Sequence, residues 1–145
     1  MYTVGEMARM LHVPASTLRY YDKQGLLPFV ERSPGGIRVF KDSDFEWLRI
    51  IECLKKTGME IRDIRQFMQW CEEGPSTYQK RKELFKTRKQ VLEEQMHELE
   101  KNMAMLEFKC WYYDKAIADG NEDEIHAMLP DKLPADIQKL YDFAH

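Results

Sequence analysis

Long apolar runs are missing from this 145-residue sequence, and cysteine is scarce. No stretch of 18 apolar residues occurs, so we expect no membrane-spanning helix. The first residues lack a basic segment followed by an apolar one, and we therefore expect no secretory signal. The three cysteines are odd in number and widely spaced. This argues against a disulfide framework and favours a reducing, cytoplasmic location.

Sequence motifs for enzymatic chemistry are also missing. The sequence has no glycine-rich phosphate loop, no metal-binding motif and no nucleophile–base set. Near the end of the longest helical pattern only Cys110 is present, and His126 is distant and unpaired. A site for zinc or copper needs more soft ligands than these. We therefore expect that the protein is not an enzyme and that it binds no cofactor and no metal.

The charges are unevenly distributed along the chain. The formal net charge is −3, but residues 1–41 carry a net charge of +3 and residues 116–145 a net charge of −5. A basic end favours contact with a polyanion such as DNA. The acidic tail would keep the other end of the chain away from DNA.

Two short helices are predicted at the basic end. Thr3 and Glu6 match a capping box ahead of apolar residues at helical spacing, which predicts a helix over residues 4–11. Pro14 and Gly25 suit the first helical position and the position just after the last, which predicts a second helix. Two short helices joined by a tight turn form a helix-turn-helix, whose second helix enters the major groove.

The outward face of the second helix is the first candidate site. Leu18 is expected to point inward, while the other face carries hydroxyls, an amphipathic ring and two cations. These groups suit phosphates and base edges, and the face lacks carboxylates that DNA would repel. The alternative is a polar helix that is simply solvated. The candidate DNA-binding residues on this helix are Ser16, Thr17, Arg19, Tyr20 and Lys23.

A β-hairpin is predicted over residues 29–40. Alternating residues flank a Ser-Pro-Gly-Gly turn, and a hairpin beside a helix-turn-helix is a wing. We expect Arg32 and Arg38 to project from the wing toward backbone phosphates. An ordinary solvated hairpin is the alternative.

In this order and spacing, these segments resemble the MerR family of bacterial transcription regulators. The resemblance covers residues 3–75 and is carried by V-G-E-M-A, S-T-L-R-Y-Y-D-K-Q-G-L-L-P and G-G-I-R-V-F-x-x-x-D-F-E-W-L. It implies a winged helix-turn-helix, an antiparallel coiled-coil dimer and a promoter with an overlong spacer. The regulator twists this spacer to activate transcription, so RNA polymerase is an indirect partner. Phe40 departs from the family, which often has tyrosine at this position.

Two more helices follow the wing. The first is predicted over residues 43–57, capped by Asp42 or Ser43, and the second ends at Gly74. The resemblance implies that they form a second wing whose first helix approaches DNA at Lys55 and Lys56. The alternative is a solvated basic end that the helix dipole favours. The apolar stripe of the first helix consists of Trp47, Ile50, Ile51 and Leu54.

Cys53 is the candidate sensor. It lies off the apolar stripe, with Arg49 and Lys56 one turn away, and two such cations favour a reactive thiolate. Its position also matches a cysteine in the branch of the resembled family that responds to aldehydes and other electrophiles. The alternative is a small, partly buried helix residue. Cys71 lies on an apolar stripe and is expected in the core.

A coiled coil is predicted from residue 76 to about residue 118, where proline and glycine are absent. Apolar residues there recur at the a and d positions of a heptad repeat. Some forty residues at ~1.5 Å each reach ~60 Å, long enough to hold two winged domains on one face of DNA. The predicted dimer seam consists of Phe85, Leu92, Met96, Leu99, Met103, Leu106, Cys110, Tyr113 and Ile117.

A short tail follows Gly120. Pro134 opens its last predicted helix, and the tail is too short to enclose a drug-sized pocket by itself. We expect it to pack against the dimer, beside Trp111, Tyr112 and Tyr113. A small organic effector bound between this aromatic end and the tail is the alternative to a response through Cys53.

The sequence therefore predicts a mostly α protein in three parts. These are a winged helix-turn-helix DNA-binding domain (1–75), a dimerising coiled-coil helix (76–118) and a short C-terminal tail (119–145). The predicted function is a homodimeric regulator that binds double-stranded promoter DNA and responds to a small electrophile or organic effector. The alternative is a coiled-coil adaptor whose N-terminal domain binds protein. A steep dependence of a DNA mobility shift on salt would separate the two.

Overall fold

The computed structural model describes residues 1–145, whose contacts form two compact units, residues 1–88 and 89–145. The mostly helical fold with a small wing is confirmed. No helix is both long and apolar enough to cross a membrane. The elements are α1 (Val4–Leu11), α2 (Ala15–Lys23), β1 (Glu31–Arg32), β2 (Arg38–Val39), α3 (Asp42–Lys56), α4 (Ile61–Glu73), a 3-10 turn (Pro75–Thr77), α5 (Tyr78–Asp119), α6 (Asp123–Met128) and α7 (Ala135–Ala144).

The helix-turn-helix is set by local signals. The capping box is present, since the Glu6 amide donates to Thr3 Oγ1 at 3.1 Å and the Thr3 amide donates to Glu6 Oε1 at 3.4 Å. The second helix starts at Ala15, one residue later than predicted, because Pro14 has an extended backbone and acts as the N-cap. Gly25 ends the helix in the left-handed region, with φ of 76°, as its residue type predicts.

The core of the first unit joins α1, α2, α3, α4 and the wing. The wing is short, with Glu31 opposite Val39 and Arg32 opposite Arg38 in an antiparallel pair. Phe40 is fully buried and forms an antiparallel bridge with Tyr2, so the base of the wing is fixed to the start of the chain. Core side chains with no exposed surface include Met7, Leu26, Leu48, Ile51 and Ile64.

Two details of α3 differ from the prediction. The N-cap is Lys41 rather than Asp42 or Ser43, and the Lys41 amide donates to Asp44 Oδ2 at 2.8 Å. Leu48 is fully buried, whereas Ile50, which the predicted stripe included, is 37% exposed. The predicted stripe was wrong at Ile50 because the inward face runs through Asp44, Leu48, Ile51 and Leu54, at a spacing of three or four residues that leaves Ile50 to one side.

The first turns of α5 belong to the first unit. The guanidinium of Arg81 donates to the carbonyl oxygens of Trp70 and Gly74 at the end of α4. Arg88 Nε donates to the Thr57 carbonyl oxygen at 2.7 Å, beyond the end of α3. These bonds satisfy carbonyls that helix ends leave without partners. The contacts thus place the end of the first unit at Arg88. The division into functional domains after residues 75 and 118 stays a prediction.

The second unit is one face of α5 covered by α6 and α7. Phe108 and Tyr112 of α5 are buried there, together with three tail residues: Ile125, Leu133 and Ile137. The Tyr112 hydroxyl donates to Glu122 Oε1 at 2.5 Å, and this bond raises the pKa of Tyr112 to about 12. The tail packs beside Trp111 and Tyr112 as predicted, but not beside Tyr113, which is 56% exposed. Its packing against a dimer stays a prediction. The six-residue α6 was not predicted, since one and a half turns are too short for a periodic signal.

Candidate nucleic-acid interface

The outward face of α2 is open to solvent. Leu18 is 1% exposed and Tyr21 is also buried, which fixes the inward side of the helix as predicted. Thr17 is half-buried. The remaining candidates on this helix, which are all exposed, are Ser16, Arg19, Tyr20 and Lys23.

Two hydrogen bonds attach α2 to the helices behind it. The Tyr21 hydroxyl donates to Glu52 Oε1 of α3 at 2.5 Å. Burial first, and then this bond, raises the pKa of Tyr21, so its hydroxyl stays a donor at neutral pH. Arg65 Nε of α4 donates to the Gln24 carbonyl oxygen at 2.8 Å. Both bonds hold the C-terminal end of α2, while its outward side chains stay free.

The cations on α2 are available to an anion. Arg19 and Lys23 form no ion pair within the chain. The exposed face between them carries hydroxyls and the Tyr20 ring but no carboxylate. Such a face can bond to phosphates and to base edges at the same time.

The two arginines of the wing differ. Arg38 forms an ion pair with Asp22 of α2, its Nη1 lies 3.4 Å from the Val30 carbonyl oxygen, and its side chain is only 19% exposed. Burial lowers the pKa of Arg38, and its Nε is buried without a hydrogen-bond partner. Arg38 thus faces Asp22 rather than solvent, because the wing packs on α2, and its contact with phosphate stays a prediction.

Arg32 remains on the surface of the wing. Its Nη1 donates to the Gly36 carbonyl oxygen at 3.0 Å, and its Nη2 lies 3.6 Å from Asp22 Oδ2. More than half of its side chain is exposed. An exposed guanidinium at this distance from one carboxylate keeps donors free for a phosphate.

The end of α3 forms a second exposed basic patch. Lys55 and Lys56 occupy its last turn, and both are exposed. Gly58 follows with φ of 81°, and a Cβ at this position would lie 2.5 Å from Arg88 Nη2. The positive φ favours glycine here, whereas the nearby Arg88 guanidinium is the far end of a flexible side chain and can move. The positive charges of the two lysines stabilise the negative, C-terminal end of the α3 dipole. Their contact with DNA stays a prediction.

Cys53 lies in a surface groove of about 560 Å³ between α3 and the turn that joins α1 to α2. Arg49 and Lys56 line the same groove, as predicted from their spacing. Arg49 also lies 3.7 Å from Glu46 Oε1 and over the Phe45 ring. The exposure of this thiol was not predictable from the sequence, because it depends on where the helix-turn-helix packs.

The other two cysteines have different environments. Cys71 is half-buried against the core of the first unit, and burial raises the pKa of its thiol. Cys110 is exposed on α5, among the residues of the predicted seam. All three thiols are free, and Cys53 alone has an arginine and a lysine on the walls of its groove.

The predicted seam is mostly exposed within one chain. Leu92 is half-buried, and Phe85, which is 40% exposed, contacts Phe67 of α4 edge-on with 5.2 Å between ring centroids. Leu99 is 65% exposed although it is apolar. The other exposed members are Met96, Met103, Leu106, Cys110, Tyr113 and Ile117.

The tail covers a different face of α5 from the one that carries the seam. The residues of α5 buried in the second unit are Ala104, Phe108 and Tyr112, which occupy b, f and c positions when Leu99 is d. The a and d positions lie on the other side of the helix. Residues 96–117 of α5 are therefore apolar on two faces, and α6 and α7 cover only one.

A winged helix-turn-helix whose second helix has an exposed, cationic outward face without carboxylates defines a DNA-binding protein. Comparison with known families agrees with this geometry. The family described as "MerR HTH family regulatory protein" matches residues 2–70, and "MerR, DNA binding" matches residues 45–107. The chain belongs to the MerR family of DNA-binding transcriptional regulators.

Individual relatives are regulators rather than enzymes. An uncharacterised HTH-type transcriptional regulator of Haemophilus influenzae is 40% identical over 120 residues, which span 83% of this chain and 89% of the relative. AdhR of Bacillus subtilis is 32% identical over 61% of this chain and 64% of its own length. The crystal structure of HiNmlR, a family regulator lacking the sensor domain and bound to promoter DNA, is 39% identical. It covers 85% of this chain and 98% of its own, with a TM-score of 0.67.

Proposed function

We propose that this chain acts as a homodimer that binds promoter DNA and distorts an overlong spacer in response to an effector. One observation carries the proposal. Arg19 and Lys23 on α2 and Arg32 on the wing are exposed, the Arg38–Asp22 ion pair joins the wing to α2, and Glu52 and Arg65 hold α2 in place. With α2 in the major groove, the wing meets the adjacent phosphates. A DNA-binding regulator of this kind works in the cytoplasm of a bacterium, beside RNA polymerase.

The homodimer is supported by the uncovered face of α5. Its a and d residues, among them Leu99 and Leu106, are exposed although they form a continuous apolar stripe. An exposed stripe of this length is typical of an interface rather than of a free surface. A second copy of the same helix offers a matching a/d pattern, so the two copies bury each other's stripes.

The first test concerns the promoter spacer. We expect transcription to become independent of the effector when base pairs are deleted so that the spacer reaches ordinary length. The physical reason is that the protein then has no overlong spacer to correct, and the energy for twisting DNA is no longer required. The measurement is transcription in vitro from the DNA upstream of the gene for this chain. Continued dependence of the shortened promoter on the protein would contradict spacer distortion.

Cys53 is the residue that we propose to receive the effector. Its thiol is exposed in an open groove that Arg49 and Lys56 also line, whereas Cys71 is half-buried. The helix that carries Cys53 also carries Glu52, which holds α2, and ends at the second basic patch. An adduct on Cys53 would therefore act on both parts of the proposed DNA surface.

Replacing Cys53 by serine is expected to abolish induction by an electrophile while leaving DNA binding intact. Serine keeps the size of the side chain but is not a nucleophile at neutral pH. The measurement is transcription from the native promoter with and without an aldehyde, and Cys71→Ser is the control at a thiol that lies outside both the groove and the seam. Equal induction in the wild type and Cys53→Ser would end this assignment.

The packing of the second unit argues against the alternative in which a small organic effector binds between α5 and the tail. Tyr112 is buried, and its hydroxyl is bonded to Glu122 and lies 3.2 Å from His126 Nε2. The tail itself thus occupies the aromatic face of α5. If an organic ligand nevertheless binds there, Tyr112→Ala rather than Cys53→Ser should remove the response.

A further inference from the structure

Two nucleophilic side chains share one face of α3 near its end. Cys53 and Lys56 lie three positions apart, a spacing that places side chains next to each other on a helix, with about 5–6 Å between their Cβ atoms. Both side chains are exposed, and both line the groove of about 560 Å³ between α3 and the turn that joins α1 to α2. A thiol and an amine in this groove can therefore meet the same small molecule.

Neither group has a partner within the chain. Cys53 is a free thiol, and Lys56 forms no ion pair. The carboxylate of Glu52, which also lines the groove, accepts a hydrogen bond from the Tyr21 hydroxyl at 2.5 Å. Lys55 is exposed too, but it lies two positions from Cys53, a spacing at which side chains do not face each other, and it does not line the groove.

The combination of a thiol and an amine indicates a class of electrophile. An alkylating agent forms one bond and reacts completely with the thiol alone. A carbonyl carbon accepts two nucleophiles in succession, because its oxygen can leave as water after the first addition. We infer that Cys53 and Lys56 together form a modification site for a small aldehyde, whose carbonyl carbon becomes a bridge between Cys53 Sγ and Lys56 Nζ. The inference rests on the proposed function, in which Cys53 receives the effector.

The bridge forms in two steps that need no oxidant and no reductant. The Cys53 sulfur adds to the carbonyl carbon and the thiol proton goes to the carbonyl oxygen, which gives a hemithioacetal with a hydroxyl group. The neutral Lys56 amine then forms a bond to the same carbon as the hydroxyl leaves, and one proton of the amine joins the hydroxyl as water. The second step is favoured because the hemithioacetal already lies one turn from the amine, so the reaction is intramolecular.

The bridge would change the second basic patch, at the end of α3. It ties the Lys56 amino group to Cys53 in the groove, whereas Lys55 keeps its exposed ammonium group. It also links two residues in the last turns of α3, the helix whose Glu52 accepts the hydrogen bond from Tyr21 of α2. Reaction with an aldehyde in the groove therefore acts directly on a part of the proposed DNA surface.

The test is mass spectrometry of the full-length protein after treatment with formaldehyde and removal of the excess by desalting. Cleavage after Glu52 and Glu60 gives one peptide that contains Cys53, Lys55 and Lys56. We expect a mass gain of one carbon atom, loss of the free thiol, and fragment ions that link Cys53 to Lys56. A hemithioacetal on Cys53 alone would instead add a whole formaldehyde molecule and would reverse on desalting.

The variant is Lys56→Arg, which removes the primary amine and keeps the positive charge. The matched control is Lys55→Arg, which makes the same change at the adjacent lysine outside the groove. We expect Lys56→Arg to lower the yield of the one-carbon adduct roughly tenfold or more, because the second nucleophile is no longer next to the thiol. Lys55→Arg should give the wild-type yield.

A wild-type yield of the one-carbon adduct in Lys56→Arg would overturn the inference, and so would a bridge that maps to Lys55. Induction of transcription by formaldehyde in Cys53→Ser, measured in parallel, separates the two levels. If Cys53→Ser abolishes induction and no bridge forms in the wild type, this inference alone fails. If Cys53→Ser is induced as strongly as the wild type, the proposed role of Cys53 as the sensor fails.

Discussion

Replacing Leu99 with lysine is expected to dissociate the proposed dimer. Leu99 occupies a d position on the face of α5 that the tail leaves uncovered, and it is 65% exposed within one chain. A symmetric dimer loses two leucine side chains from its seam, each worth about 1.5–3 kcal/mol when fully buried. We therefore expect the dissociation constant to rise roughly a hundredfold or more, before the cost of desolvating two ammonium groups is added.

Sedimentation equilibrium is the measurement for Leu99→Lys. The thermal midpoint, followed by circular dichroism, should also become lower and more dependent on protein concentration, because folding and association are linked. The matched control is Glu94→Lys, which places the same group at an exposed position of α5 outside the a/d stripe. A dimer of wild-type stability carrying Leu99→Lys would show that Leu99 does not lie in the seam and that the predicted heptad register is wrong.

Replacing Arg19 with alanine should give the second largest effect. Arg19 is exposed on α2, forms no ion pair within the chain and lines the groove between α2 and the wing. Loss of a specific contact from a recognition helix costs on the order of 1–3 kcal/mol, or about 5- to 150-fold in affinity. If Arg19 contacts a phosphate, the slope of the logarithm of the binding constant against the logarithm of salt concentration should also decrease by about one, because one fewer counterion is released. The dimer and its thermal stability should not change.

Mobility shifts over a range of salt concentrations would check the prediction for Arg19→Ala. The matched control is Arg62→Ala on α4, which removes an exposed arginine that is paired with Glu60 rather than free. Affinity equal to the wild type at physiological salt would mean that α2 is not the reading helix. No salt-dependent shift by the wild type itself would instead favour the adaptor whose N-terminal domain binds protein.

Local and periodic signals predicted much of the fold. The capping box at Thr3, the glycine stop at Gly25 and the inward position of Leu18 all depend on residues within one or two turns. The long unbroken helix, α5, was predictable from its repeat and from its lack of proline and glycine. In each case the residues that determine the structure lie within one segment of the chain, so the sequence is sufficient to predict it.

The candidate site was only partly predictable. The sequence placed hydroxyls and cations on the outward face of α2, and the structure leaves nearly all of them exposed. It did not predict that Arg38 pairs with Asp22, which lies 16 positions earlier in the chain. Nor did it predict that Glu52 holds Tyr21, since these residues lie 31 positions apart. Such contacts depend on how the wing and α3 pack on α2, and no short segment contains that information.

Residue types and their spacing predicted every helix except α6, the ends of most of these helices, and the apolar stripe on the a and d positions of α5. Which apolar face of α5 the tail covers depends instead on tertiary packing. Phe108 and Tyr112 meet Ile125 and Ile137, and the stripe that contains Leu99 is left open. The physical reason is that burial depends on pairs of surfaces brought together from distant parts of the chain, whereas helix formation depends on neighbours within a turn.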